Sequence, residues 1–171
     1  IKKILSHIKY GMVVCDIGCG KDMALLKRIS QVARSCIGFD KKTPNINYSN
    51  INVRSIDLNS RLPLEDSSVD VVTMLAVLEH IEDDRAMLKE VRRVLKQGGE
   101  LLMTVPAKKS EFVLKTLAFR LHLLSKEEIG DHKRYYSIDS VTEALAYAGF
   151  VSPKAQAFQL GFNILCSAKK G

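Results

Sequence analysis

Apolar residues in this chain fall into two kinds of run. Short continuous runs rich in β-branched side chains occur at Met12 to Ile17, Cys36 to Asp40 and Val69 to Leu75. A weaker one lies at Ile51 to Val53, and a later one at Leu101 to Val105 is ended by Pro106. Such runs read as strands covered on both faces. Between them the period becomes helical. One helix is expected from about Asp22 to Val32. In a clearer one, Met87, Leu88, Val91, Val94 and Leu95 share a face and Gly98-Gly99 supplies a left-handed stop. A further helix is predicted from Ser137 as N-cap to Gly149, with Val141, Leu145 and Ala148 inward. The tail reads as two strands, Ala155 to Phe158 and Phe162 to Ser167, joined through Gly161.

Strand and helix thus alternate, which predicts right-handed βαβ units and an α/β fold: a doubly wound, mostly parallel sheet with helices on both faces. The terminal strand pair is expected as a hairpin at one edge. No repeat, low-complexity tract or linker interrupts the chain, so residues 1–171 read as a single domain.

Composition narrows the class. With 171 residues, 46% hydrophobic and 26% charged, the chain has the make-up of an ordinary globular protein and not of a disordered one. The longest run without a charge, Ala155 to Ala168, has 14 residues and includes Gln156, Gln159 and Asn163. A bilayer span needs about 20 mostly apolar residues, so no transmembrane helix is expected. No secretory leader is legible, and because the chain opens at Ile1 a preceding segment is expected. The four cysteines form no Cys-x-x-Cys pair, which fits reduced, packed thiols in a cytoplasmic protein without a metal.

In a doubly wound sheet the ligand lies outside the carboxyl ends of the strands, so the loop after the first strand carries the most information. It reads Asp16-Ile17-Gly18-Cys19-Gly20. A nicotinamide fingerprint would need glycine at position 23, where Met23 stands. The segment resembles instead motif I of the class I S-adenosylmethionine-dependent methyltransferases, acidic-x-Gly-x-Gly. Three further segments resemble that family in the same order. They are Cys36 to Asp40, then Asp57-Leu58 followed by Leu62-Pro63-Leu64 and Ser68 to Val72, then Ala76 to Ile81 with Leu95 to Gly99. Together they cover residues 11 to 106, and the likeness is to the group called methyltransferase type 11.

The resemblance implies a Rossmann-like methyltransferase sheet of seven strands with the last antiparallel. It implies S-adenosylmethionine as cofactor, leaving as S-adenosylhomocysteine. Asp40 would accept both ribose hydroxyls and Asp57 the adenine amino group. Asp16, Gly18, Cys19, Gly20, Lys41, Leu58, Leu75 and Ala76 complete the expected cofactor-binding set. Where the family usually has a third glycine this chain has Asp22, read here as a helix cap.

The expected reaction is in-line methyl transfer to a small-molecule acceptor through an oxygen or nitrogen nucleophile, with a sugar or lipid-linked group among the acceptors considered. A hydroxyl acceptor calls for a base. His80, after the fourth strand, and His132, in Asp131-His132-Lys133-Arg134-Tyr135-Tyr136, are the candidates. The stretch 107–136 is expected as an acceptor-side insert and as a contact for a partner or a second copy. It carries a net charge of +3, whereas residues 57–90 carry −6. A nucleic-acid acceptor is disfavoured, because Leu75 to Leu78 stand where an adenine methyltransferase has Asn/Asp-Pro-Pro-aromatic, and no Pro-Cys pair occurs. The other readings left open are a cofactor-binding subunit that acts only with a partner and an RNA or protein methyltransferase.

Overall fold

The computed structural model describes residues 1–110 and 133–171. Its strands are β1 (Val13–Ile17), β2 (Ser35–Asp40), β3 (Ile46–Tyr48), β4 (Ile51–Ser55), β5 (Val69–Leu75), β6 (Leu95–Pro106), β7 (Phe150–Phe158) and β8 (Asn163–Lys170). The helices are α1 (Lys2–Leu5), α2 (Ala24–Ile29), α3 (Asp84–Val94) and α4 (Ile138–Tyr147). The strands form one sheet in the order β3-β4-β2-β1-β5-β6-β8-β7. The pairs β4-β2, β2-β1, β1-β5 and β5-β6 are parallel, and β8 runs antiparallel to both β6 and β7.

The order reverses between β1 and β5, so the loops after β1, β2 and β5 open on one crevice. The expected antiparallel last strand is present. The expected count of seven is corrected to eight, because β3 adds a three-residue hairpin arm against β4 across a two-residue turn with Ser49 left-handed at φ 53°. Ile46-Asn47-Tyr48 is too short to show an alternating pattern.

Both faces of the central strands are buried. Val13, Cys15 and Ile17 of β1, Val72 and Met74 of β5, and Leu101, Met103 and Val105 of β6 pack in one layer with Met87, Leu88 and Val91 of α3 and with Val141 and Leu145 of α4. Val14, Val71 and Leu102 face the other way, onto Leu26 and Ile29 of α2. This two-sided burial is what the unbroken apolar runs of a parallel sheet encode.

Two helix boundaries differ from expectation. Helix α3 is capped by Asp83, whose carboxylate accepts the Ala86 N–H at 2.9 Å, and it ends at Val94 with Leu95 already extended. The pairing then steps from Val69–Leu95 to Val71–Glu100, so Gly98, at φ 71°, turns a bulge in β6 and does not stop the helix. Helix α2 begins after Met23, which is left-handed at φ 51° and gives no side-chain cap, so Asp22 is not the N-cap.

At the sheet's outer edge, β7 carries its own bulge. Val151 faces Lys169 and Lys154 faces Ser167, three residues on against two, with Ser152 at φ 49° and Pro153 between.

Candidate active site

The loop after β1 is folded onto the end of β2. The Gly18 and Cys19 N–H groups both donate to the Phe39 carbonyl, at 2.7 and 3.2 Å. Gly18 has φ 73°, and a Cβ there would collide with Cγ2 of Val77, in the loop after β5. Only glycine lets these two loops approach so closely. Gly20, at φ 67°, has open space where its Cβ would stand, and its N–H donates to Oδ2 of Asp40 at 3.0 Å. The Asp40 Oδ1 accepts the Lys42 N–H at 2.7 Å. The Asp40 carboxylate is half-buried and Lys41 is exposed beside it.

The acidic residue of the same motif lies deeper. Asp16 is buried at 3% exposure and its Oδ1 accepts the Thr73 hydroxyl of β5 at 2.6 Å. Burial pushes its carboxyl up to about 7; the Thr73 hydrogen bond opposes this and the Asp40 charge adds to it. Cys19 is buried beneath the loop, and burial raises its thiol to about 12, so it is neutral and unreactive at pH 7.

The family described as Methyltransferase domain matches residues 15–103, more than half of the chain. The chain belongs to the class I S-adenosylmethionine-dependent methyltransferases, type 11 group. It is 36% identical over 107 residues to a probable S-adenosylmethionine-dependent methyltransferase of Mycolicibacterium smegmatis, a match covering 60% of this chain and 41% of that protein. It is 32% identical over 102 residues to a tRNA U34 carboxymethyltransferase of Campylobacter concisus, covering 54% of this chain and 35% of the relative. Against a ubiquinone biosynthesis O-methyltransferase of Idiomarina loihiensis it is 26% identical over 136 residues, covering 72% of this chain and 54% of the relative. The chain spans 30 to 41% of the first four curated relatives it matches. Among solved structures, a Haloferax volcanii methyltransferase complexed with its Trm112 activator shares the fold, with TM-score 0.78, 18% identity, and coverage of 99% of this chain and 88% of that one.

In this methyltransferase the other expected residues that are described follow the sheet's strands β4 and β5. Asp57 is exposed in a turn, its Oδ1 accepting the main-chain N–H and the Nδ2 of Asn59 at 3.0 and 3.1 Å. Leu58 packs half-buried against the core, and Leu75 ends β5 half-buried. Ala76 is left-handed at φ 55°, and its N–H reaches both the main-chain oxygen and the hydroxyl of Thr104 at 3.1 Å. A non-glycine residue held in that conformation sharply redirects the chain at the carboxyl end of β5. His80 follows in the short turn Leu78–His80, half-buried. His132 lies outside the described residues, as does most of the stretch 107–136.

Several residues outside the expected site set also lie at this end of the sheet. Glu79 is buried at 1% exposure, burial raises its carboxyl to about 7, and its Oε2 has no hydrogen-bond partner among the described residues. The segment Lys133 to Tyr136 lies along the loop that Glu79 begins. The Lys133 N–H donates to the Glu79 carbonyl at 2.9 Å, and Tyr136 pairs with Pro106 and Lys108 through main-chain bonds of 3.0 and 2.8 Å.

The crevice suits the cofactor on two grounds: Gly20 leaves space where a side chain would intrude, and Asp40 offers an accessible carboxylate beside it. A groove of about 690 Å³ lies elsewhere, between α1 and the strands β6, β8 and β7, and includes none of these residues. Among the described residues no group of His, Cys, Asp and Glu is arranged to hold a metal ion, and no helix is long and apolar enough to cross a membrane.

Proposed function

We propose that this chain transfers a methyl group from S-adenosylmethionine to an oxygen or nitrogen of a small-molecule acceptor, at the crevice formed by the loops after β1, β2 and β5. The observation that carries the reading is the junction of Gly18, Gly20 and Asp40. Each Asp40 oxygen accepts one main-chain N–H, at 3.0 and 2.7 Å, which fixes the carboxylate and leaves its other lone pairs for two ribose hydroxyls. Asp57 would accept from the adenine amino group, with Leu58 and Leu75 as apolar walls. The cofactor supplies a methyl group on a sulfonium centre whose positive charge is dispersed as the methyl departs. The chain's part is alignment, worth roughly 7 to 11 kcal/mol when two reactants are held in line. The −6 balance of residues 57–90 favours a cationic ligand.

On the acceptor side, His80 and His132 stand as candidate bases and the stretch 107–136 as the source of specificity and of any partner or second-copy contact. The O-methyltransferase relative supports a small acceptor. A nucleic-acid acceptor is the second reading, supported by the tRNA-modifying relative and by the +3 charge of that stretch. The activator complex of the Haloferax neighbour supports testing for an accessory subunit. Four buried free cysteines fit a cytoplasmic setting.

Calorimetry with S-adenosylhomocysteine tests the cofactor site. Asp40→Ala is expected to weaken binding by at least about tenfold, as the loss of hydrogen bonds to a charged group requires; unchanged affinity would refute the assignment of Asp40. Stabilisation by NAD alone would overturn the whole reading. Methyl transfer from labelled S-adenosylmethionine to quinols, sugars, lipids and total tRNA then separates the two acceptor classes. His132→Ala is expected to lower turnover while sparing cofactor affinity.

A further inference from the structure

The loop from Glu79 to Asp84 is gripped from two sides. On one side stands Arg134. Its guanidinium donates to the Ile81 carbonyl at 3.1 Å and the Glu82 carbonyl at 2.7 Å, and lies 3.4 Å from Asp84. The Tyr136 hydroxyl donates to the same Asp84 carboxylate at 2.9 Å. Arg134 thus uses its planar fork on two successive carbonyls, which a lysine cannot match. On the other side the Glu82 N–H donates to Oδ1 of Asn59 at 3.0 Å, and Asn59 in turn donates from its main-chain N–H and its Nδ2 to Asp57. The result is an unbroken chain of hydrogen bonds from Arg134 through Glu82 and Asn59 to Asp57. Asn59 and Glu82, the middle of this chain, line a groove of about 290 Å³ together with Leu58, Ile81 and Met87 among others.

The loop so gripped carries a cost. A carboxyl oxygen buried with no partner among the described residues, as Oε2 of Glu79 is, destabilises the fold, and such a group keeps its place only where its surroundings fix it. The hydrogen bonds donated by Lys133 and Arg134 and the one accepted by Asn59 hold this loop.

We propose that Asn59 and Arg134 are positioning residues that couple the turn holding Asp57 to the segment Lys133–Tyr136, so that filling the cofactor crevice stiffens the acceptor side before an acceptor arrives. This rests on the cofactor placement proposed above. Asp57, drawn onto adenine, holds Asn59; Asn59 holds the Glu82 amide; and the Glu82 and Ile81 carbonyls then present a fixed target to Arg134. Neither Asn59 nor Arg134 needs to touch the cofactor or the acceptor for this.

Amide hydrogen exchange with saturating S-adenosylhomocysteine as the probe tests it without any knowledge of the acceptor. In the wild type the ligand is expected to slow exchange at Lys108, Lys133 and Tyr136 by about tenfold, within the usual range of coupling between sites. Asn59→Ala and Arg134→Ala should each reduce that protection to less than about twofold while the amides of Gly18 and Gly20 stay protected, and Arg134→Lys should fall between. Coupling is reciprocal, so Arg134→Ala should also weaken S-adenosylhomocysteine binding, and the double variant should do little more than either single one. Full protection retained in Asn59→Ala, or additive losses in the double variant, would overturn the coupling. Binding by the wild type with no protection at Lys133 would overturn it too, and would leave the cofactor reading standing. Absence of any binding by the wild type would instead sink the cofactor reading, and the coupling with it.

Discussion

Two acids, Asp16 and Glu79, are held in the carboxyl end of the sheet with carboxyls raised to about 7, burial being the first cause in both. In the unfolded chain each would ionise near pH 4. Between those values the folded state holds a proton that the unfolded state has released, so the ionisation penalty of burying them is absent below about pH 4 and grows as pH rises to about 7. Glu79→Gln should therefore gain stability relative to the wild type between about pH 5 and about pH 8, by about 3 kcal/mol at most. Because Asp66, Asp70 and Glu90 have lowered carboxyls and tilt the curve the other way, the difference between variant and wild type is the quantity to measure. Parallel melting curves across that range would show that Glu79 ionises freely. Motif spacing singled out Asp16, Gly18, Gly20 and Asp40, and the Gly20–Asp40 contact lies where two adjacent strands end. The bonds of Asn59 and Arg134 to Glu82 were not legible, because they arise only when segments more than 20 residues apart are brought together.

Helix α4 shows how far local signals reach. Ser137 was expected as its cap, and the Ser137 hydroxyl accepts the Ser140 N–H at 3.1 Å while the Ser140 hydroxyl accepts the Ser137 N–H at 2.9 Å. Ser137→Ala should cost about 1 kcal/mol, lowering the melting temperature by roughly 2 to 4 °C; no measurable change would mean that the sheet alone holds this helix. The seven expected strands are all present. The short β3 was hidden by its length, and the end of α3 by a competing principle: the pull of Leu95 into the sheet beside Val69 outweighs the glycine stop three residues later. The position of α2 likewise follows from the turn at Gly20, whose geometry places Met23 and not Asp22 at the helix start.

For the molecule as a whole, the formal charge of +7 conceals an acidic middle. S-adenosylmethionine carries one positive charge more than S-adenosylhomocysteine. Raising ionic strength from about 0.05 M to about 0.5 M shortens the screening length from well above 10 Å to under 5 Å. Affinity for the sulfonium form should then fall more than affinity for the product, by calorimetry at the two salt levels; equal responses would show that the acidic stretch does not attract the cofactor. Saturation at about 100 times the dissociation constant adds about 2.7 kcal/mol to stability, a rise of roughly 5 to 10 °C in melting temperature.

The bulge in β7 bears on how the molecule coexists with copies of itself. A nine-residue edge strand with a regular outer rim would offer a row of open N–H and C=O groups to any other chain's edge. Ser152 in a left-handed turn, Pro153 without a donor and the charged Lys154 interrupt that rim near its start, three devices that blunt an edge. Removing the extra residue while replacing Pro153 and Lys154 with β-branched residues would convert a guarded border into a template for strand addition, and the expected phenotype is loss of solubility without loss of fold.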